Sequence, residues 1–143
     1  RIGAPLHLAF ADSGSSGSTT QAVGAVRALR ERDPIPTEKL LARLARVAEG
    51  SIADLEAGDR SAVGARMTEA HDILRRVGVS SPELDALVYA ASAAGSPGAK
   101  LTGGGMGGCV IAVADSPAHA DDLSAALRRA GAHNTWTVEV PAA

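Results

Sequence analysis

Aromatic side chains are almost missing: one Trp, one Tyr and one Phe, 2% of the sequence. Apolar residues still make up 45%, so a core has to come from Ala, Val, Leu and Ile. Such small residues favour close helix packing. Cysteine occurs once, at Cys109. That excludes an internal disulfide and a thiolate zinc cluster, and it suggests a reducing compartment. No apolar run approaches the ~20 residues needed to span a bilayer, and no signal-peptide pattern opens the chain. Charge of one sign is lacking too, since 14 Lys and Arg against 16 Asp and Glu leave a net −2. Without a basic block, an electrostatic nucleic-acid binder is not expected. The chain begins at Arg1, without an initiator Met, and reads as a fragment of something longer. Its 143 residues suffice for one domain with a sizeable core.

What is present is strong periodicity. Leu6, Leu8 and Phe10 alternate with His7, Ala9 and Ala11, as in a strand. "DSGSSGSTT", residues 12 to 20, reads as a loop, with Ser18 or Thr19 capping a helix through Ala22, Val26 and Leu29. "DPIP", 33 to 36, ends that helix. A second helix is expected from about Thr37 to Leu55. A third carries Val63, Met67, Ala70, Leu74 and Val77 on one face and stops at Gly78. Ser81-Pro82 opens a fourth. "GSPG", 95 to 98, is a turn, followed by short strand Ala99 to Thr102 and a buried strand Val110 to Ala114. Ser116-Pro117 starts a fifth helix closed by Gly131. Trp136, Val138 and Val140 mark a last strand. The order β, four α, β, β, α, β predicts an α+β fold: a four-stranded, mostly antiparallel sheet with helices on one face. Its second half looks like a ferredoxin-like unit.

The stretch "KLTGGGMGGC", 100 to 109, poses the functional question. Five of its six positions from 103 to 108 are Gly. A simple hairpin needs one or two, and each further Gly in an ordered segment costs roughly 0.5–1 kcal/mol. The surplus points to something approaching the backbone itself. A run of Gly N–H groups forms an anion-binding concavity, so a phosphate is one reading and a tight structural hairpin is the other. The pattern is not G-x-x-x-x-G-K-[ST], and it does not sit in the βα turn of a dinucleotide fingerprint. Because it joins two strands, no helix dipole is expected to assist it directly.

The segment "GAKLTGGGMGGCVIAV", 98 to 113, resembles the third motif of the GHMP kinases, the family of galactokinase, homoserine kinase, mevalonate kinase and phosphomevalonate kinase. "ADSGSSGSTTQAV", 11 to 23, resembles the mevalonate kinase pattern A-D-T-G-x-x-x-S-T-K-x-x-V. "MTEAHDILRRVGVSSPELDALV", 67 to 88, resembles its helix pair M-N-x-N-H-x-L-L-x-x-L-G-V-S-x-P-x-L-D. The resemblance implies a C-terminal GHMP kinase domain spanning 1 to 143. It implies ATP and Mg²⁺ as cofactors of a longer enzyme, a small-molecule alcohol as acceptor, and an N-terminal domain as partner. It also implies a cytoplasmic protein with no nucleic-acid or membrane partner, and leaves a homodimer open. Thr102, Gly103, Gly104, Gly105, Met106, Gly107 and Gly108 would lie beside the ATP phosphates. Ser13, Ser18 and Thr19 would line the acceptor side. No catalytic residue and no metal ligand falls in this chain. The family's main phosphate loop, P-x-x-x-G-L-G-S-S-A, and its N-domain Asp and Lys are not among these residues, so the chain alone is expected to be inactive. Departures are Met106 where many members have Gly, Ser13 for Thr, Thr20 for Lys, and Thr68 and Ala70 for Asn. Another acceptor, as in galactokinase or homoserine kinase, or a non-catalytic binding module of the same fold, are the alternatives.

Ordinary structural duties compete with these roles. Ser13, Ser18 and Thr19 also suit a turn and an N-cap, and Thr102 suits a strand edge. Lys100 is expected to be solvated, His71 to be a partly buried structural histidine, Cys109 to be an inert small hydrophobe, and Trp136 to lie in a core or an interface.

Overall fold

The computed structural model covers all 143 residues. Nine elements follow in chain order: β1 (Leu6–Asp12), α1 (Thr19–Arg32), α2 (Pro34–Ala57), α3 (Arg60–Arg76), α4 (Pro82–Ala93), β2 (Ala99–Thr102), β3 (Cys109–Ala114), α5 (Pro117–Arg129) and β4 (Asn134–Val140). Most helix starts follow from side-chain caps. The hydroxyls of Ser18, Ser81 and Ser116 accept from the N–H groups of Gln21, Leu84 and His119, and the Asp59 carboxylate accepts from Ala62. Each satisfies one of the donors a first turn leaves open. One boundary differs from expectation: α2 starts at Pro34, not near Thr37. Pro34 and Pro36 both fall in its first turn, where no intrahelical acceptor is available for an N–H anyway. Gly58, at φ 70°, closes α2 in the left-handed region.

The sheet has the order β2-β3-β1-β4, and every pairing is antiparallel. α5 carries the chain from β3 to β4 across β1, the split β-α-β arrangement expected of a ferredoxin-like unit. Registers such as Ala9 opposite Ala112 and Ala11 opposite Val110 put small residues on one face. There Leu84, Leu87, Leu123 and Leu127 of α4 and α5 pack against them, all buried. Small strand residues let helices with Leu ridges sit close, so the core is dense without aromatics.

The other face, expected to be free of helices, carries Leu6, Leu8, Phe10, Ile111 and Val113, with Val63 and Met67 of α3 and Leu55 of α2 leaning over them, so helices cover part of both faces. Phe10 and Trp136, opposite each other in the β1–β4 register, stack with ring centroids 5.3 Å apart. Trp136 and Val138 remain partly exposed there.

α3 runs along the free edge of β2, and a glycine pair permits the approach. A Cβ on Gly98 would overlap the Gly64 carbonyl, and one on Gly64 would overlap Pro97. The α2–α3 pair closes over its own small cluster, Val47, Ala70 and Ile73.

Candidate functional site

The glycine loop is the tip of the β2–β3 hairpin. Gly103, Gly105, Met106, Gly107 and Gly108 all have φ between 56° and 148°. Met106 is the one non-glycine residue in the chain with positive φ. Its thioether side chain packs against the main core, and its N–H donates to the Val79 carbonyl at 2.7 Å. Core contact thus offsets the strain of a left-handed backbone.

Part of the glycine surplus has an internal cause. A Cβ on Gly105 would stand 2.5 Å from the Val79 carbonyl oxygen, and one on Gly107 would stand 2.6 Å from both Gly17 N and the Ser15 carbonyl. Gly17 in turn lies against Gly105 and Met106. Two glycine-bearing loops interlock here, tied by Ser13 N–H to the Gly108 carbonyl at 2.8 Å and Gly108 N–H to the Ser15 carbonyl at 2.7 Å. Gly103 and Gly108 are different: a side chain there would meet nothing, or only ordinary contact.

The N–H groups are the telling feature. Those of Met106 and Gly108 are used inside the chain, whereas those of Gly103, Gly104, Gly105 and Gly107 have no acceptor in it. Gly105 and Gly107 are buried, whereas Gly103 and Gly104 are exposed, so the N–H groups of the latter two are open to water or to an anionic ligand. The expectation that no helix assists this loop needs correction. The N-terminus of α1 abuts it, with Thr19 Oγ1 2.5 Å from where a Gly104 Cβ would stand. The Thr19 and Thr20 N–H groups also lack acceptors in the chain, and the positive end of the helix dipole favours negative charge.

Among the acceptor-side residues, Ser18 is the N-cap of α1, and Ser13 serves the 13–15 turn through a 3.3 Å bond from Ser15 N–H to its hydroxyl. Thr19 is exposed at the first turn. The structure therefore brings Ser13, Ser18 and Thr19 beside the glycine loop and gives the first two structural work as well. Thr102 is half-buried and paired with Cys109. A cleft of about 590 Å³ opens next to Gly103 and Gly104, walled by Val23, Val26, Leu41 and Leu74. Lys100 also lines it. Lys100 is not solvated as expected: it is half-buried, its ammonium donates to the Leu101 carbonyl at 2.6 Å, and burial lowers its pKa. For Cys109, burial and then the nearby Asp12 charge raise the thiol pKa, which keeps it protonated and unreactive.

Sequence reasoning passed over the link behind the loop. His71 is 4% exposed, more deeply buried than expected. Its Nδ1 accepts from Leu101 N–H at 3.1 Å, and its Nε2 faces Asp85 Oδ1 at 2.8 Å. Ser80 also donates to Asp85 Oδ1, at 2.7 Å, and Arg75 approaches Oδ2 at 3.3 Å. Burial lowers the imidazole pKa despite the raising pull of Asp85. Burial pushes the Asp85 carboxyl up, but the hydrogen bonds from Ser80 and His71 and the Arg75 charge outweigh it and hold it below the ordinary value. No cluster of three or more His, Cys, Asp or Glu is arranged to hold a metal ion.

The family model described as "GHMP kinases C terminal" matches residues 51–133. The chain belongs to the GHMP kinases, as their C-terminal domain. Among relatives of this GHMP kinase domain, a mevalonate kinase of Thermococcus gammatolerans is 40% identical over 131 residues, 88% of the chain and 39% of the relative. A galactokinase of Streptomyces coelicolor is 45% identical over 69 residues, 48% of the chain and 18% of the relative. The crystal structure of L. major mevalonate kinase in complex with R-mevalonate superposes with a TM-score of 0.93 at 28% identity, covering 99% of the chain and 44% of that protein. The chain therefore spans about two fifths of the length of the mevalonate kinase it matches. No helix is long and apolar enough to cross a membrane.

Proposed function

We propose that this GHMP kinase domain is the C-terminal part of a mevalonate kinase. The longer protein would transfer the γ-phosphoryl of ATP to the primary hydroxyl of mevalonate, giving 5-phosphomevalonate and ADP in isoprenoid biosynthesis in the cytoplasm. The observation that carries the reading is the set of acceptor-free N–H groups at Gly103, Gly104, Gly105 and Gly107 beside the N-terminus of α1. The exposed donors, at Gly103 and Gly104, suit phosphate oxygens. The specific acceptor rests on the likeness to mevalonate kinases over most of the chain.

Phosphoryl transfer is largely positioning and charge stabilisation. In this reading, the mevalonate hydroxyl oxygen bonds to the γ-phosphorus as the bond from that phosphorus to the β-γ bridging oxygen breaks. The hydroxyl proton passes to a base outside this chain. Ser13, Ser18 and Thr19 border the acceptor, and Thr102 to Gly108 border the phosphates. Mg²⁺, when bound with the nucleotide, would supply neutralisation of phosphate charge. The N-terminal domain would supply the principal phosphate cradle, so the isolated chain should show no ATP-dependent turnover. A homodimer of the longer protein is compatible with this reading.

The half-chain match to a galactokinase keeps that acceptor as the second reading. Turnover of the full-length protein with mevalonate, galactose and homoserine separates them. Phosphorylation of mevalonate alone is expected. Phosphorylation of galactose alone would replace the assignment, and turnover of none would favour a binding module.

A further inference from the structure

We infer that His71 is a positioning residue for the glycine loop, acting through the backbone N–H of Leu101. The inference rests on the reading of that loop as phosphate-facing. β2 is a four-residue edge strand with one partner, β3. Its outward N–H groups lie on the side away from β3, where an edge strand has no ladder partner. His71 Nδ1 supplies the missing acceptor at Leu101, two residues before Gly103. The loop's first residues are thereby held from both sides, by the Thr102–Cys109 pairing and by the imidazole.

The imidazole serves this purpose in one protonation state only. Accepting from Leu101 requires a bare Nδ1, so the proton sits on Nε2 and points to Asp85. Asp85 selects that tautomer. The same carboxylate is fixed by Ser80, and the neighbouring Val79 carbonyl receives the Met106 N–H at 2.7 Å. One network thus touches the loop at its base, through Leu101, and at its crest, through Met106.

Two substitutions separate the halves of this device in the full-length enzyme. H71N places an amide oxygen near the Nδ1 position and keeps the acceptor for Leu101. H71Q places its amide near the Nε2 position, keeping the Asp85 contact and losing the acceptor. The expected result is a rise of about tenfold in KM for ATP in H71Q, with KM for the alcohol little changed. H71N should stay within about threefold of the parent. Amide hydrogen exchange gives the second readout: Leu101 should lose protection in H71Q and keep it in H71N.

The unmodified enzyme supplies a check should H71Q fail to fold. Its imidazole ¹⁵N spectrum should show Nδ1 bare and Nε2 protonated, and the reverse tautomer overturns the inference. A non-hydrolysable ATP analogue should also protect the Gly103 and Gly104 amides from exchange. No nucleotide effect on those amides overturns the phosphate reading, and this inference with it. Protected loop amides together with equal ATP KM values for H71N and H71Q overturn this inference alone.

Discussion

Two glycine-bearing turns border β2, and they use glycine for opposite ends. In the turn from Gly95 to Gly98, the N–H groups of Gly95, Ser96 and Gly98 all find acceptors, at Ser92, Ala91 and the Ser96 hydroxyl. Gly98 is there because α3 presses on it through Gly64. In the loop from Gly103 to Gly108, close approach explains Gly105 and Gly107, yet four N–H groups are left without acceptors. Glycine alone therefore marks close packing. The exposed acceptor-free donors at Gly103 and Gly104 are what the proposed phosphate contact rests on.

The sharpest way to break this comparison is to put a methyl group into each turn of the full-length protein. G98A drives a Cβ into the Gly64 carbonyl and should cost about 1–3 kcal/mol or more in denaturant unfolding. Its kinetics per folded molecule should be unchanged. G103A meets no neighbour but keeps a φ of 93°, so its stability cost should be about 1–2 kcal/mol. On the proposed phosphate-facing reading the added methyl group crowds that open side of the loop, and KM for ATP should rise about ten- to hundredfold. If G103A left the kinetics untouched, the loop would be one more packing turn.

A pH series sharpens the comparison from the side of the loop's brace. The His71 pKa is lowered in the fold by burial, against the raising effect of Asp85 and with smaller lowering effects of Arg75 and Lys100. The unfolded chain thus takes up the proton first. The stabilising contribution is complete above the unfolded value of about 6.5 and is lost as pH falls from there toward the lower folded value. Asp85, also lowered, adds a contribution lost only below about 3.8, its ordinary value. Unfolding free energies at pH 7.5 and 5.5 should fall less in H71N than in the parent. An equal fall in both would remove His71 from the account.

The smallest effect should come from a glycine that answers neither demand. Gly24 is exposed in the middle of α1, with nothing within 4 Å of an added Cβ. G24A should stabilise by about 0.5–1 kcal/mol, read as a raised denaturation midpoint with no kinetic change.

Most of the fold was legible because it is written in periodicity and caps. Ser18, Ser81-Pro82 and Ser116-Pro117 announce three helices, and the alternation at Leu6, Leu8 and Phe10 announces β1. The start of α2 was not legible, because a proline pair reads equally as a break or as a first turn, and only the tertiary path decides. At the candidate site, the resemblance of 11 to 23 and 98 to 113 to kinase motifs pointed to two loops that lie side by side in the fold. Sequence spacing could not show that the two loops interlock at Gly17 and Gly107, or that the N-terminus of α1 abuts Gly104. Nor could it pair His71 with Leu101, 30 residues apart, because that bond forms only once α3 lies along the sheet edge. Lys100 was misjudged for a related reason. Alternation gave its face of the strand, but not that this face is partly roofed by α3.

The most direct measurement is the structure of the full-length protein with an ATP analogue bound. The account predicts phosphate oxygens at about 3 Å from the Gly103 and Gly104 nitrogens, with the mevalonate hydroxyl on the side of Ser13, Ser18 and Thr19. A nucleotide whose phosphates lie far from this hairpin tip, leaving those N–H groups to water, would contradict it.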